Sequence, residues 1–188
     1  MKSSAVKEIL LPVLSLTVIC LVCSVLLAFT NNSTKDVILQ RSIESENSSK
    51  ATVAPDASAF SEEKTVTLSD TEYTYFEALD SGSNVIGYVF TTVAKGYGGD
   101  VKVMTGIDTD GKITGVTPLT LNETPGLGMK AKETSFLSQF AGKVQGITVN
   151  KSTPGDNEIQ ALTGATITSK AVTSCVNQAF DIFYGIKE

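Results

Sequence analysis

Hydroxyl side chains cluster in one short segment of the chain, Leu162–Ser169, which reads LTGATITS. Its Gly and Ala residues let the backbone approach a ligand closely, and its hydroxyls can cap the free amides at the start of a helix. The helix predicted to follow also has a positive end, which attracts phosphate and other anions. The segment therefore fits two interpretations, an anion-binding site or an ordinary Ser/Thr helix cap.

Two glycine-containing loops are the other candidates for ligand binding. Glu123–Gly128 (ETPGLG) combines a proline that fixes one backbone angle with glycines that allow positive φ or close contact with a flat ligand. It is either a ligand-contacting loop or an ordinary turn. Lys95–Gly99 (KGYGG) matches neither the Walker pattern nor a GxGxxG motif, so a tight turn between strands competes there with a phosphate loop.

The composition excludes several classes of chemistry and of partner. The 188 residues include no histidine, which removes Ser-His-Asp and Cys-His catalysis, His-ligated zinc or haem, and histidine proton switches. The formal net charge is −5 and Arg41 is the single arginine, so the chain is not expected to bind nucleic acid. Any chemistry must therefore come from hydroxyls, carboxylates, amines, thiols, backbone amides or a cofactor.

The cysteines give little support for thiol chemistry. Cys20 and Cys23 have C-x-x-C spacing but lie in an apolar run, which disfavours the thiolates that redox or metal chemistry needs. Inert residues are therefore favoured over a chemical pair. Cys175 lies in a helical apolar pattern and is predicted to be a small buried hydrophobe.

The apolar run Ile9–Phe29 contains no charged residue. As a helix it would be about 31 Å long, which matches a hydrocarbon core of about 30 Å. A retained anchor is favoured over a cleaved signal peptide, whose apolar region is about 7–15 residues long. The charges that flank the run give only a slight bias, towards a cytoplasmic N-terminus. We expect a single-pass protein of the cell (inner or cytoplasmic) membrane, with its C-terminal domain on the extracytoplasmic side.

The rest of the chain predicts a tether and one α+β domain. After an anchor over residues 1–32, residues 33–64 are rich in polar residues and predict a tether with a short helix over Val37–Ile43. Residues 65–188 predict a mainly antiparallel sheet with an amphipathic helix over Thr168–Tyr184. Further predictions are turns at Ser69-Asp70, Asp80–Asn84 and Asp108–Gly111, strands over Val85–Ala94, Val101–Ile107, Lys112–Leu121 and Gln145–Val149, a short helix over Thr134–Phe140, and an edge or bulged position for Pro118.

Four motifs in this order resemble the FMN-binding domain family. They are Gly96–Gly99 (GYGG), Thr105–Asp108 (TGID), Glu123–Gly128 and the TGATITS of Thr163–Ser169. Together with the anchor they are similar to the G subunit of Rnf ion-translocating electron transport complexes, which is related to the C subunit of the sodium-pumping NADH:quinone reductase. The resemblance covers roughly residues 70–188 and the anchor.

The resemblance implies FMN joined through its phosphate to a threonine hydroxyl, here that of Thr166. It also implies a flavin transferase that uses FAD and Mg²⁺, so that Thr166 is an acceptor and the chain has no catalytic residue of its own. Lys130 either places charge near the flavin or is solvated. The cofactor-binding residues that the resemblance implies, besides Thr166, are Thr163, Gly164, Ala165, Ile167, Thr168, Glu123, Thr124, Gly126, Leu127 and Gly128.

One position departs from the family pattern. Gln160 stands three residues before Thr163, where the family usually has Asp, and this could weaken recognition by the transferase or a local hydrogen bond. The function implied is an electron-carrying subunit of a multisubunit complex, linking ferredoxin and NAD⁺ to ion movement, rather than an enzyme alone. The alternatives are the FMN-binding part of an NADH:quinone reductase or of another exported reductase, and a tethered binding module without redox chemistry.

Overall fold

The computed structural model describes residues 2–68 and 71–187, and it divides the chain into two compact units, Met1–Glu44 and Ser45–Glu188. The first helix, α1, runs over Lys2–Val53. Among the described residues it is the one helix long and apolar enough to cross a membrane. The side chains of its apolar run are exposed along the helix, as a lipid-facing surface would be.

The helix predicted over Val37–Ile43 is part of this much longer helix. The polar segment that follows the apolar run contains neither glycine nor proline before Pro55, so nothing in it forces the helix to end. Thr30 and Thr34 donate side-chain hydrogen bonds to carbonyls one turn earlier, which removes their competition with the backbone.

The centre of the second unit is an antiparallel sheet. Its strands are β1 (Ala59–Phe60), β2 (Lys64–Leu68), β3 (Thr71–Leu79), β4 (Val85–Lys95), β5 (Asp100–Asp108) and β6 (Ile113–Leu121). Strands β1, β3, β4, β5 and β6 lie side by side in this order, and β2 also pairs with β3.

The predicted turn at Ser69-Asp70 lies outside the described residues. The predicted Asp108–Gly111 turn is confirmed by a hydrogen bond of 3.1 Å from the Gly111 N–H to the Asp108 C=O.

Pro118 has both of the properties predicted for it. It lies in β6, at the edge of the sheet, where a missing N–H removes no ladder bond to a further strand. The pairing of β5 with β6 also shifts register beside it, because Val103 pairs with Pro118 and Lys102 with Thr120.

The last helix, α3 (Thr166–Lys187), covers one face of the sheet. It begins and ends within three residues of the predicted bounds, and it buries the apolar stripe that the sequence pattern indicated. Phe180 and Phe183 pack against Phe90 of the sheet, and Cys175 is fully buried as predicted. Each such side chain contributes about 1.5–3 kcal/mol when it is buried, so this contact is the main core of the domain.

The short elements beside the core differ in one respect from the prediction. The predicted helix over Thr134–Phe140 is present as α2 (Thr134–Leu137) and a 3-10 turn. The predicted strand over Gln145–Val149 is shorter, β7 (Thr148–Asn150), and it pairs in parallel with β8 (Glu158–Gln160). The Asn177 side chain takes up the N–H and C=O groups of Ile147, at 3.0 and 2.9 Å, and so ends the strand pattern there.

The opposite face of the sheet is covered in part by the end of α1. Val53 is completely buried against Phe76, Val89 and Met104, and its carbonyl accepts a hydrogen bond from the Thr114 hydroxyl at 2.5 Å. Residues 45–64 therefore belong to the compact second unit, although the sequence places them in a tether that ends at residue 64. The physical reason is the apolar Val53-Ala54 pair, which has a sheet face to bury against.

Two glycines make room for this contact. A Cβ at Gly106 would overlap the Val53 carbonyl, and a Cβ at Gly115 would lie 2.7 Å from the Val53 Cα atom. Both obstacles are backbone atoms, which cannot move aside as the end of a flexible side chain can. The close approach of α1 therefore depends on the absence of side chains at these two positions.

We predict that Gly115→Ala lowers the free energy of unfolding by about 1–3 kcal/mol, because the added methyl overpacks the Val53 contact. Gly155→Ala is the matched control, since its Cβ would meet only the Glu158 side chain at an ordinary 3.5 Å. Thermal and denaturant unfolding of the full chain in detergent measures both variants. Equal stability of the two would show that Val53 docking contributes nothing.

We also predict that Cys175 does not react with iodoacetamide at pH 8 in the folded protein. Burial raises the pKa of its thiol to about 11, so the reactive thiolate is scarce, and the side chain is inaccessible. The test uses the full chain with Cys20→Ala and Cys23→Ala, before and after denaturation. Ser174→Cys in a chain without Cys175 is the exposed control, and equally fast labelling of both thiols would contradict the prediction.

Candidate functional site

Three loops that are far apart in the sequence line one half-open cavity of about 540 Å³. The first is the tight turn between β4 and β5, the second follows β6, and the third precedes α3. This volume lies within the range of about 300–1,000 Å³ typical of small-molecule sites. The lining residues are Tyr97, Glu123, Thr124, Leu127, Gly128, Gly164, Ala165, Thr166, Ile167 and Thr168.

One buried carboxylate holds the three loops together. Glu123 Oε1 accepts hydrogen bonds from the backbone N–H groups of Tyr97 and Gly98, at 2.8 and 3.2 Å. Glu123 Oε2 accepts one from the Thr168 hydroxyl at 2.9 Å. Since Glu123 is only 7% exposed, the carboxylate exchanges water for these three donors.

Glycines surround this carboxylate because no side chain fits there. A Cβ at Gly96 would overlap Glu123 Oε1, and a Cβ at Gly98 would overlap the Asn122 carbonyl. A Cβ at Gly128 would lie 2.7 Å from the Thr168 hydroxyl and 2.8 Å from Glu123. Gly96 and Gly128 therefore leave space for Glu123, and Gly98 leaves space for the adjoining backbone of Asn122.

The loop before α3 is closed by Ser169. Its hydroxyl accepts a hydrogen bond from the Leu162 N–H and donates one to the Ala165 carbonyl, both at 3.0 Å. Gly164, between them, has a φ of 76°, a left-handed conformation that glycine adopts without strain. This arrangement fixes the short turn from which α3 begins.

The hydroxyls of the segment differ in accessibility. Thr166 is half-buried and lines the cavity as the first residue of α3, beside backbone N–H groups that have no partner within a helix. Thr163 is exposed and is not among the lining residues. Thr168 and Ser169 are buried and already hydrogen-bonded. One hydroxyl of the four therefore faces the cavity without a partner in the segment.

Apolar side chains form the outer part of the cavity. Tyr97, Leu127 and Ile167 all line it and are all exposed, with Tyr97 72% accessible. Large exposed apolar groups of this kind are typical of a surface that a ligand or partner covers. Together with the start of α3, they suit a ligand that has an anionic group and a flat apolar group.

Most of the site residues implied by the resemblance meet at this cavity. Two of them, Thr163 and Gly126, do not line it. Gly126 instead has a φ of 77° in the turn that Leu127 N–H closes onto the Thr124 carbonyl, where the third position requires positive φ. Lys130 is exposed and is not a lining residue.

Tyr97 is a lining residue that was not among the site residues predicted from the sequence. It belongs to the GYGG motif, whose glycines indicate a turn and say nothing of the aromatic residue between them. A large aromatic side chain between glycines, where no core position is predicted, was the available signal. Gln160 lies in β8 with an exposed side chain, and its backbone N–H donates to Gln139 Oε1 at 2.7 Å.

Comparisons with known proteins agree with these motifs. Residues 96–181 match the family model of the FMN-binding domain. The chain is 39% identical to the G subunit of the Na(+)-translocating ferredoxin:NAD(+) oxidoreductase complex of Acetobacterium woodii, over 93% of this chain and 91% of that protein. It is 34% identical to the G subunit of the proton-translocating ferredoxin:NAD(+) oxidoreductase complex of Clostridium ljungdahlii, over 89% of this chain and 87% of that protein.

The chain belongs to the family of Rnf-type G subunits. Its fold is also similar to the crystal structure of the C subunit of the Na(+)-translocating NADH-quinone reductase from Parabacteroides distasonis, with a TM-score of 0.58. That likeness covers 78% of this chain and 92% of the other, at 20% sequence identity. It shows that the α+β domain of this chain has the fold of that C subunit.

The residues of the cavity fit FMN. FMN has a phosphate at one end and a flat isoalloxazine ring at the other. The start of α3 offers N–H donors and a hydroxyl for the phosphate, and the Leu127, Ile167 and Tyr97 side chains offer apolar surface for the ring. Both parts of the cofactor thus have matching chemistry within a single cavity.

We predict that Ser169→Ala lowers the free energy of unfolding by about 1–3 kcal/mol, because the Leu162 N–H loses its acceptor in a poorly solvated turn. Ser174→Ala is the matched control, since Ser174 is an exposed serine on the same helix. Denaturant unfolding of the full chain in detergent compares the two. Indistinguishable unfolding curves would show that the Ser169 hydroxyl does not hold the turn.

Proposed function

We propose that this protein is a membrane-anchored electron carrier that bears FMN joined to Thr166 by a phosphoester bond. The observation that carries the proposal is the placement of Thr166, the first residue of α3, in a cavity that also offers apolar surface for a ring. Family membership supports the cofactor and the complex, since the relatives named above are subunits of ferredoxin:NAD(+) oxidoreductases.

The choice of Thr166 over its neighbours rests on accessibility. Thr168 and Ser169 are buried, and each donates its hydroxyl proton to an acceptor within the protein. Thr163 is accessible but stands outside the cavity. Only the Thr166 oxygen combines accessibility with a position beside the N–H groups of α3.

Attachment would be a group transfer that the chain does not catalyse itself. The Thr166 oxygen bonds to the phosphorus of the FMN half of FAD, the phosphoanhydride bond breaks, and AMP leaves. The hydroxyl proton is lost to a base of the flavin transferase, which also supplies Mg²⁺. Gln160 lies outside the cavity, so its departure from the family pattern concerns recognition by the transferase rather than the FMN site.

Once attached, FMN supplies the electron-transfer chemistry that the side chains of this protein lack. The α3 N–H groups would bind the phosphoester oxygens and favour their negative charge. Thr124, Leu127 and Ile167 would orient the ring and exclude water from part of it. No substrate pocket is required for this role, because electrons pass between neighbouring redox groups.

The proposal also assigns the remaining parts of the chain. Residues 1–32 anchor the protein in the cell membrane as one span, and residues 65–188 carry the cofactor. Residues 33–64 connect the two, and residues 45–64 of this connection are packed within the second unit. A lone span without internal charge serves as an anchor rather than an ion path. The domain lies on the extracytoplasmic side, and its partners are the other membrane and redox subunits of the complex.

Covalent attachment is tested by expressing the full chain with and without a flavin transferase and looking for flavin fluorescence on the denatured polypeptide. We expect a signal only with the transferase, because the proposal assigns catalysis of the attachment to that enzyme and makes Thr166 the acceptor. Thr166→Ala abolishes the signal, since it removes the acceptor oxygen.

Thr163→Ala is the matched control and is expected to keep the signal, because this hydroxyl lies outside the cavity. Fluorescence that survives Thr166→Ala would overturn the assignment of the acceptor. A wild-type chain that stays unlabelled with the transferase would overturn covalent attachment.

A further inference from the structure

We infer that Glu123 is a positioning residue that sets the width of the cavity and thereby clamps the ring of the attached FMN. The inference rests on the proposed function for its cofactor but on separate observations for its geometry. Those observations are the hydrogen bonds of the carboxylate, its burial, and the positions of the groups that it joins.

The two oxygens of Glu123 are hydrogen-bonded to two different segments that line the cavity. Oε1 accepts hydrogen bonds from two successive backbone N–H groups, those of Tyr97 and Gly98, and Tyr97 lines the cavity. Oε2 holds the hydroxyl of Thr168, which is in the first turn of α3, two residues beyond Thr166. The carboxylate therefore links the backbone at Tyr97 to the first turn of α3, where the proposed attachment point lies.

These bonds are the means by which the carboxylate is satisfied. Within residues 2–68 and 71–187 the ion pairs are Lys64–Glu77 and Lys95–Asp100, so the partners of Glu123 are N–H and O–H donors rather than a cation. A buried carboxylate strongly resists losing such donors. If either the Tyr97 turn or the start of α3 moved away, the buried carboxylate of Glu123 would lose hydrogen bonds to its charge. Both segments are therefore held close to Glu123.

The hydrogen bonds of Glu123 are needed because neither the glycine-rich turn nor the phosphoester bond alone would hold the ring of FMN in place. Tyr97 is 72% exposed and belongs to a glycine-rich turn, whose backbone is intrinsically free to move. A single phosphoester bond leaves the ring of FMN free to rotate about its chain. We therefore expect Glu123 to control how rigidly the ring is held after attachment, not whether the bond to Thr166 forms.

The test compares Glu123→Ala with Glu123→Gln in the full chain. The Gln oxygen can accept both backbone N–H bonds, and its amide can donate to a rotated Thr168 hydroxyl, so this variant keeps the link without the charge. Glu133→Ala is the matched control, because Glu133 is an exposed glutamate after the same loop.

Two measurements monitor the link. In protein made without transferase, hydrogen exchange of the Tyr97 and Gly98 amides should rise about tenfold in Glu123→Ala, the change expected when a bond to a charged group is lost. In protein made with transferase, the flavin of Glu123→Ala should show lower fluorescence anisotropy and greater quenching by iodide than the flavin of the wild-type chain. Glu123→Gln should restore both, and Glu133→Ala should change neither.

A double-mutant cycle tests whether Glu123 and Thr168 hold the ring through the hydrogen bond that joins them. Thr168→Val removes the hydroxyl with little change in shape, and Thr168→Ser retains it. We expect Thr168→Val to lower the anisotropy in the wild-type background but to add nothing in Glu123→Ala, because both remove the same link. Additive effects would overturn the inference.

The remaining outcomes decide between the proposals. Unchanged exchange and anisotropy in Glu123→Ala, or a failure of Glu123→Gln to restore them, overturns the positioning role. An unlabelled wild-type chain overturns the proposed function, and the exchange measurement on flavin-free protein then decides the role of Glu123 alone.

Discussion

A carboxylate buried without a cation must find hydrogen-bond donors, and the site of this protein is organised around that requirement. Glu123 obtains two donors from the turn after β4 and one from the first turn of α3. Those three donors, Tyr97, Gly98 and Thr168, lie 26, 25 and 45 residues away along the chain. The hydrogen bonds of this one side chain therefore hold the turn after β4 and the start of α3 against the loop after β6. Gly96 and Gly128 lie beside it because a Cβ at either position would be too close to Glu123.

The sheet brings these loops together because a helix packs on each of its two faces. On one face α3 buries its apolar stripe, which orients the start of the helix towards the loops at the end of β4. On the other face Val53 is packed against Gly106 and Gly115, so part of the apolar surface of that face is also covered. The packed core of the domain therefore includes residues, such as Val53, that lie outside the segment matched by the family model, residues 96–181.

The sequence predicted the parts of the fold that depend on local pattern. Strands β4 to β6 and helix α3 have strong periodicity, and their bounds were predicted to within a few residues. The extent of α1 was not predicted, because a polar helix has no periodic signal and is stabilised here by burial of its last residues. The parallel pairing of β7 with β8 was missed for the same reason, since three-residue strands are determined by their neighbours.

The candidate site could be approached from the sequence only through the family motifs. Spacing alone does not indicate that Glu123 and Thr168 form a hydrogen bond, because contacts across 45 residues depend on the whole fold. The same limit hid the role of Tyr97. Its exposure is unusual for an aromatic residue, but exposure is a property of the folded chain, and the sequence shows only that it stands between glycines.

The occupied hydroxyls of Thr168 and Ser169 have a consequence for chemical selectivity. A synthetic chemist who must modify one of several alcohols first blocks the others, and here the fold blocks two of them through hydrogen bonds. Within this segment, a transferase acting on the folded domain would need to discriminate only between Thr166 and the exposed Thr163. The same eight residues transplanted into an unstructured peptide, without Glu123, would lack that protection and would present their alcohols as equals.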